Sequence, residues 1–329
     1  MSRIARVPPL AWAFALALGA VIFGLGLMLR GDGDRWGVAD VPTEFAGAAS
    51  AEDAETTPAD PEAPSAERSS GDLVPAGRAE TTTEPASTAA PIPEFHDPLP
   101  PGGVRGTIAL VIDDVGRRVE RIDRFMAVGV PITFAVLPFE PRTAQVVERV
   151  QDLGAEMLVH LPMEGAAGAN PGPGALMATM DVETLRSRTL SALDAVPGAV
   201  GVNNHMGSVF SADAERMGAV LEQVGSRGLF FLDSRTSANS VGYRLARDLA
   251  LDAAQRDVFL DSEREIDAIE RQWGELLTVA AARGSAIAIG HPYDETLEVL
   301  SRRVEEAEAA GFRFVPVSYL LERSGDPES

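Results

Sequence analysis

The chain of 329 residues contains no cysteine, which excludes thiol catalysis, cysteine metal clusters and disulfide staples together. Aromatic residues make up only 6 %, and no Lys/Arg stripe with interleaved aromatics appears anywhere. With a net charge of −21, the chain is repelled by phosphate backbones, so nucleic acid is excluded as a partner. No Gly-rich phosphate loop followed by Lys-Ser or Lys-Thr is present, and nucleotide hydrolysis lacks support. There is no internal repeat. The missing cysteine does not fix a compartment, so the N-terminus must supply one.

Leu10 to Leu29 reads LAWAFALALGAVIFGLGLML, twenty residues without a charge. At about 1.5 Å rise per residue, such a helix spans roughly 30 Å of hydrocarbon. Arg3 and Arg6 precede it, while Arg30 is followed by Asp32 and Asp34, a bias that places the N-terminus inside. The expected organisation is a cytoplasmic end over 1–9 and a transmembrane signal anchor over 10–30. The chain is then a single-pass membrane protein, with the remainder outside the cytoplasm. The alternative is a cleaved secretory signal, but the apolar run is long for one and lacks an Ala-x-Ala site.

Residues 31–103 read as a disordered, acidic, Pro/Ala/Thr-rich linker. Between Asp40 and Pro98 there are 13 acidic residues against Arg68 and Arg78, about half of the chain's net charge, and almost no large apolar side chains to offset the entropy of ordering. From Val104 the composition changes. Apolar runs of strand length alternate with amphipathic stretches, the pattern of parallel strands with crossover helices, so the class is α/β. Strands are expected at 108–112, 132–136, 156–160, 199–203, 229–232, 257–260, 285–289 and 312–315. The segment from Leu297 to Ala310 shows helical spacing, with Leu297, Leu300, Val304 and Ala307 on one stripe and Gly311 ending it. The folded domain is expected over 104–322, with a disordered tail at 323–329.

Residues capable of chemistry fall at the ends of these strands. TIALVIDD ends in Asp113 and Asp114, a pair that is costly at a buried sheet edge unless a metal compensates it, or that caps the helix beginning near Arg117. GAEMLVHLPME brings His160 to a strand end, where histidine is also an ordinary core residue. GVNNHMGS places His205 after a strand among Asn203, Asn204 and Gly207, and AIAIGHPY presents His291 after another. Three of the four histidines thus lie at strand ends, and His96 lies in the linker. One carboxylate with two neutral imidazoles and an open position suits Zn²⁺ or a similar divalent ion, and a remaining Asp and His can then act as base and acid.

IDDVG, HLPME, NNHMGS, FLDSRT, RDVFLD and GHPY occur in that order. As a set they resemble the divergent, bacterial-envelope branch of the polysaccharide deacetylase superfamily over nearly all of 104–322. The resemblance implies a distorted (β/α) barrel of about seven parallel strands. It implies Asp113 as catalytic base, Asp114 as metal ligand and His291 as catalytic acid. The superfamily carries two metal histidines four positions apart; His160 takes the first place and Glu164 stands in the second. His205 lies where the superfamily has an arginine, and is assigned here as the missing ligand, with Glu164 as the competing one. Asp233 and Arg235 in FLDSRT are implied as site-lining, possible partners of Asp113, or else form an ordinary buried ion pair; Asn204 lies beside them in this reading. Arg256, Asp257 and Asp261 are read as ties between loops.

The function implied is a metal-dependent carbohydrate deacetylase, a hydrolase of C–N bonds other than peptide bonds. It would act on N-acetylated or O-acetylated cell-wall or envelope glycan by attack of activated water. Glycoside hydrolysis needs two carboxyls about 5–9.5 Å apart flanking a bond, which adjacent aspartates do not suit. The competing reading is a catalytically weak glycan- or protein-binding module with a structural metal, motivated by the departures at Glu164 and His205.

Overall fold

The computed structural model describes residues 103–166 and 168–324. Nine strands are present in them: β1 (Gly106–Val115), β2 (Ile132–Val136), β3 (Glu156–Met163), β4 (Gly201–Met206), β5 (Phe230–Asp233), β6 (Ala253–Gln255), β7 (Val258–Phe259), β8 (Ser285–Gly290) and β9 (Phe312–Phe314). The helices are α1 (Glu120–Met126), α2 (Thr143–Asp152), α3 (Val182–Asp194), α4 (Ala214–Ser226), α5 (Gly242–Asp248), α6 (Ile266–Arg283), α7 (Asp294–Ala309) and α8 (Val317–Ser324). Every strand pairing is parallel, in the order β6-β5-β4-β3-β2-β1-β8-β7, with β9 alongside the start of β1. Helical crossovers put apolar cover on the outer face of such a sheet, which is why its strands read as nearly continuous apolar runs.

The sheet curls into a parallel-strand half-barrel. Its edge strands β6 and β7 are consecutive in the chain, and the link between them bonds both edges. Arg256 donates its N–H to the carbonyl of Asp233 at 3.0 Å, and the next residue, Asp257, donates to Ile287 at 2.9 Å. The chain therefore changes ladder partners within one peptide.

Alternation along the strands separates two cores. Ile108, Leu110 and Ile112 of β1 face the helices with Phe125, Phe134, Val146, Leu221 and Trp273. Ala109 and Val111 face inward with Ala135, Leu158, Val200, Leu232, Ile287 and Ile289. The interior residues are mostly small or branched, as a tightly curled sheet requires. Val315, Val317 and Leu320 close the interior below. There Glu156, buried, accepts from Thr133 Oγ1 at 2.8 Å and from the backbone N–H of Ser318 in the first turn of α8. Burial pushes its carboxyl pKa up, against those hydrogen bonds.

Gly106 starts β1 where α6 crosses over it, and a Cβ there would lie 2.6 Å from the backbone oxygen of Ala280. That oxygen belongs to a buried helix turn and cannot move alone. Gly106→Ala is expected to lower unfolding free energy by about 1–3 kcal/mol, read as a reduced denaturant midpoint at unchanged slope.

The expected stripe on α7 is buried at Leu297, Leu300, Val304 and Ala307. Three strands differ from the expectation. Strand β1 runs through Asp113 and Asp114, β3 runs past His160 to Met163, and β4 includes His205, because the β3–β4 ladder continues at Pro162↔His205 and Met163↔Met206. In β3 and β4 the polar residues stand on paired backbone, so the apolar run underestimates the strand. Strand β6 was not expected at all, being three residues without an apolar run of its own. Among the described residues no helix is long and apolar enough to cross a membrane. The segment expected to span one, 10–30, and the linker up to residue 102 lie outside the described residues.

Candidate metal centre and active site

The upper ends of β1, β3, β4 and β8 bring together the residues singled out from the sequence. By alternation Asp113, His160, Asn203, His205 and His291 all continue the inward-facing rows that begin with Val111, Leu158, Gly201 and Ile289. Asp114 would face outward in a regular strand. Instead the β1–β2 register slips between Ile112↔Phe134 and Val115↔Val136, a bulge at the two aspartates, and Asp114 adopts φ +56°. Aspartate tolerates this left-handed conformation better than most residues. The bulge turns both consecutive carboxylates toward one site, as bulges beside active sites do. Helix α1 has Val119 at its N-cap with no side-chain bond, so the aspartate pair is not a helix cap.

Three ligand atoms converge. Asp114 Oδ1 lies 2.8 Å from His205 Nδ1 and 3.1 Å from His160 Nε2, and the two ring nitrogens are 3.1 Å apart. Despite these distances, Asp114 Oδ1 is buried and has no partner in hydrogen-bonding geometry. Nitrogens and an oxygen on a tetrahedral Zn²⁺ at about 2.0–2.1 Å stand about 3.3–3.4 Å from each other, so the triangle is close to that of a metal's donor set. A buried carboxylate oxygen without a hydrogen bond is costly, and a cation bound there removes the cost. The donors Asp114, His160 and His205 thus fit a divalent metal, leaving an open side.

Asn203 sets the protonation of this cluster. Its Nδ2 donates to Asp113 Oδ1 at 2.8 Å, which fixes its amide orientation and turns Oδ1 toward His160 Nδ1, also at 2.8 Å. His160 therefore carries its proton on Nδ1 and presents the Nε2 lone pair to the ligand triangle. Hydrogen bonding of the other ring nitrogen is the usual way a ligating histidine is oriented. Nothing in the motif pattern singled out Asn203. The signal was its ladder register opposite His160.

Asp113 is 3 % exposed, and burial raises its pKa, against the attraction of His160 and His291 and the bond from Asn203. Asp114 moves the other way: burial opposes its charge, but the close approach of His160 and His205 holds its carboxyl far below the usual range. His291 is held by Asp261, whose Oδ1 lies 2.8 Å from His291 Nδ1 and whose Oδ2 accepts from the His291 N–H and from Thr296 Oγ1, both at 2.6 Å. Burial opposes the imidazolium, yet Asp261 prevails and the pKa is lifted to about 9. His291 Nε2 points to Asp114 Oδ2 at 3.8 Å. Asp261 does more than tie loops: it orients an imidazole in the site.

Other expected residues stand elsewhere. The Glu164 carboxylate accepts from the Ala178 N–H at 2.6 Å and is outside the ligand cluster. This local backbone bond, with Glu164 N–H to Leu176 O, uses Glu164 to hold a loop. Asp233 is buried on the helix side of β5, accepting from Arg235 N–H, Ser240 Oγ and Tyr243 N–H at the start of α5. Arg235 reaches Gln255 Oε1, so neither residue bonds Asp113, because β5 ends on the opposite parity from the site. Asn204 likewise faces away, bracing Met206 O and the Ser234 N–H. Arg256 ties the carbonyls of Ser234 and Arg235 together.

Residues 110–321 match the family model described as divergent polysaccharide deacetylase. An uncharacterized protein of Haemophilus influenzae (strain ATCC 51907 / DSM 11121 / KW20 / Rd) is 32 % identical over 219 residues, 67 % of this chain and 75 % of that one. The uncharacterized protein YibQ of Escherichia coli K12 is 34 % identical over 199 residues, 60 % of this chain; the matched region spans 62 % of that relative. The crystal structure of an uncharacterized protein from Agrobacterium tumefaciens C58 superposes with a TM-score of 0.63 at 26 % identity, covering 67 % of this chain and 90 % of that one.

Proposed function

Since the chain belongs to the divergent polysaccharide deacetylase family, we propose that it is a metal-dependent hydrolase removing acetyl groups from an N-acetylated envelope glycan. The observation that supports this reading most is the convergence of three ligand atoms, one of them a buried carboxylate oxygen without a hydrogen bond, with a carboxylate and an imidazole that are each held by a separate partner. The apolar run at 10–29 supports placement at the inner membrane, with the domain outside the cytoplasm.

A divalent cation, zinc or a similar ion, held by Asp114, His160 and His205 supplies Lewis acidity toward water and the acyl oxygen. Asp113 takes the proton of the attacking water on Oδ2. Asn203 anchors its other oxygen, and burial raises the basicity of the carboxyl. His291 gives a proton to the leaving amine from Nε2, since Nδ1 is committed to Asp261. Asn203 acts on both sides, keeping Asp113 fixed and His160 in its ligating tautomer. The direct test is acetate release from an N-acetylglucosamine oligomer by metal-loaded protein. Full metal occupancy without turnover of any acetylated substrate would replace this reading with a glycan-binding module.

The Asp261–His291 pair also sets a pH limit. A proton donor of pKa about 9 is charged below that pH and lost above it. Asp261→Asn removes the charge that lifts it, so the alkaline limb of the kcat/KM profile is expected to move to lower pH. An unmoved limb would assign the acid role to another group.

A further inference from the structure

An acidic chain is expected to line its clefts with carboxylates, yet the cavity beside this site is lined by guanidinium groups. Its volume is about 390 Å³, and it is bounded by Asp114, Arg117, Arg118, Arg121, Arg264 and Tyr293, among others. The chain has no lysine, so these arginines are permanent charges with planar, forked donors suited to oxyanions. Arg117 and Arg118 follow Asp114 on the loop leading to α1, and Arg264 precedes α6.

The cavity is continuous with the site. Asp114 is at once a ligand atom donor and part of the cavity wall. The Tyr293 ring stacks on His291 with centroids 5.3 Å apart and planes at 22°, and the Arg264 guanidinium lies 4.0 Å over the same ring. A group in the cavity is thus one ring away from the imidazole that we assign as proton donor.

The arginines are unequally engaged. Arg121, half-buried, is bound by both oxygens of Asp294, a carboxylate that also lines the cavity, and helps build the wall. Arg117 pairs with Glu140 and Arg264 with Glu295 at 3.1 Å, both through exposed guanidinium groups. The Glu140 side chain is buried, so Arg117 stays anchored with its outer face open, whereas the Arg264–Glu295 pair is exposed on both sides and contributes little, so an arriving oxyanion can exchange with Glu295. Arg118 is exposed and no side-chain partner is found for it among the described residues.

We infer that this cavity receives an oxyanion of the substrate, so the glycan acted on carries a carboxylate or phosphate on the acetylated sugar or the one beside it. For the acetyl group this rests on the hydrolase reading; the anion site does not. The test uses the full-length, metal-loaded chain with three matched oligomers: N-acetylglucosamine alone, N-acetylglucosamine alternating with a uronic acid, and a phosphorylated counterpart. The anionic oligomers are expected to exceed the neutral one by about tenfold in kcat/KM, mainly through KM. The advantage should shrink as salt cuts the screening length from about 8 Å to about 3 Å. Whichever anion gains more identifies the source. In Arg118→Glu the ratio of anionic to neutral kcat/KM should fall by about tenfold, a change of charge sign at an exposed forked donor.

Equal turnover of all three oligomers, with a ratio unmoved by Arg118→Glu, would overturn the inference while leaving the hydrolase standing. If none is turned over, calorimetry on the uronic acid oligomer decides. Binding weakened by Arg118→Glu keeps the anion site and sinks the hydrolase; no binding, or binding unchanged by the variant, overturns the anion site as well.

Discussion

His205→Ala is expected to strip the metal from the protein, from about one ion per chain to a small fraction of that, with activity lost in parallel. The reason is geometric. Asp114 Oδ1, His160 Nε2 and His205 Nδ1 are the cluster of ligand atoms within mutual reach, and removing one leaves two. Even changes to groups behind the ligands typically cost 10–100-fold in metal affinity. Loss of a ligand itself exceeds that range. The paired control is Glu164→Ala, which should keep its metal, because the Glu164 carboxylate is spent on the Ala178 N–H. Elemental analysis of dialysed protein separates the cases. Stoichiometric metal retained in His205→Ala, or lost in Glu164→Ala, would reverse the ligand assignment.

Asp113→Asn is the second large effect, and its signature is opposite. Metal content should stay at the wild-type level, since Asp113 is not in the ligand triangle, while kcat falls by about 10²–10⁴-fold, the range for removing a general base. The substitution is nearly isosteric, and its amide oxygen still accepts from Asn203 Nδ2, so the buried hydrogen bond is kept. Asn203→Ala should act on both functions together, freeing the Asp113 carboxylate and releasing the His160 tautomer. A variant Asp113→Asn with turnover close to wild type would remove the base role.

The two aspartates show how much of this was legible from sequence and where legibility ends. Their chemistry was readable, because consecutive carboxylates after a buried apolar run need compensation. Their shared orientation was not. Strand alternation sends neighbours to opposite faces, and only the bulge between Ile112 and Val115 aims both at one site. The same alternation explains the miss at Asp233: sequence proximity to a strand end placed it in the site, but its parity follows Phe231 into the helix-facing core. His160, His205 and His291 stood out because each lies at the end of an apolar strand run, and the structure brings them to one end of the sheet. Asp261 escaped because its role depends on a contact thirty residues away, with His291 just past the end of β8. Strand β6 escaped because its pairing comes from the curl of the sheet, which no local pattern carries.

Strand β1 has one more consequence, in time instead of space. Among the described residues it is the first strand made, yet it pairs with β2 on one side and with β8 on the other, and its start also waits for β9. Thr107 meets Ser285, nearly two hundred residues later. At synthesis rates of about 5–20 residues per second, that edge waits roughly 10–40 s for its partner. Over that interval an apolar strand ending in the bulged aspartates is open to pairing with any other chain. The strands that carry Asp114, His160 and His205, with β2 between β1 and β3, are therefore all made before the partner that covers the other edge of β1.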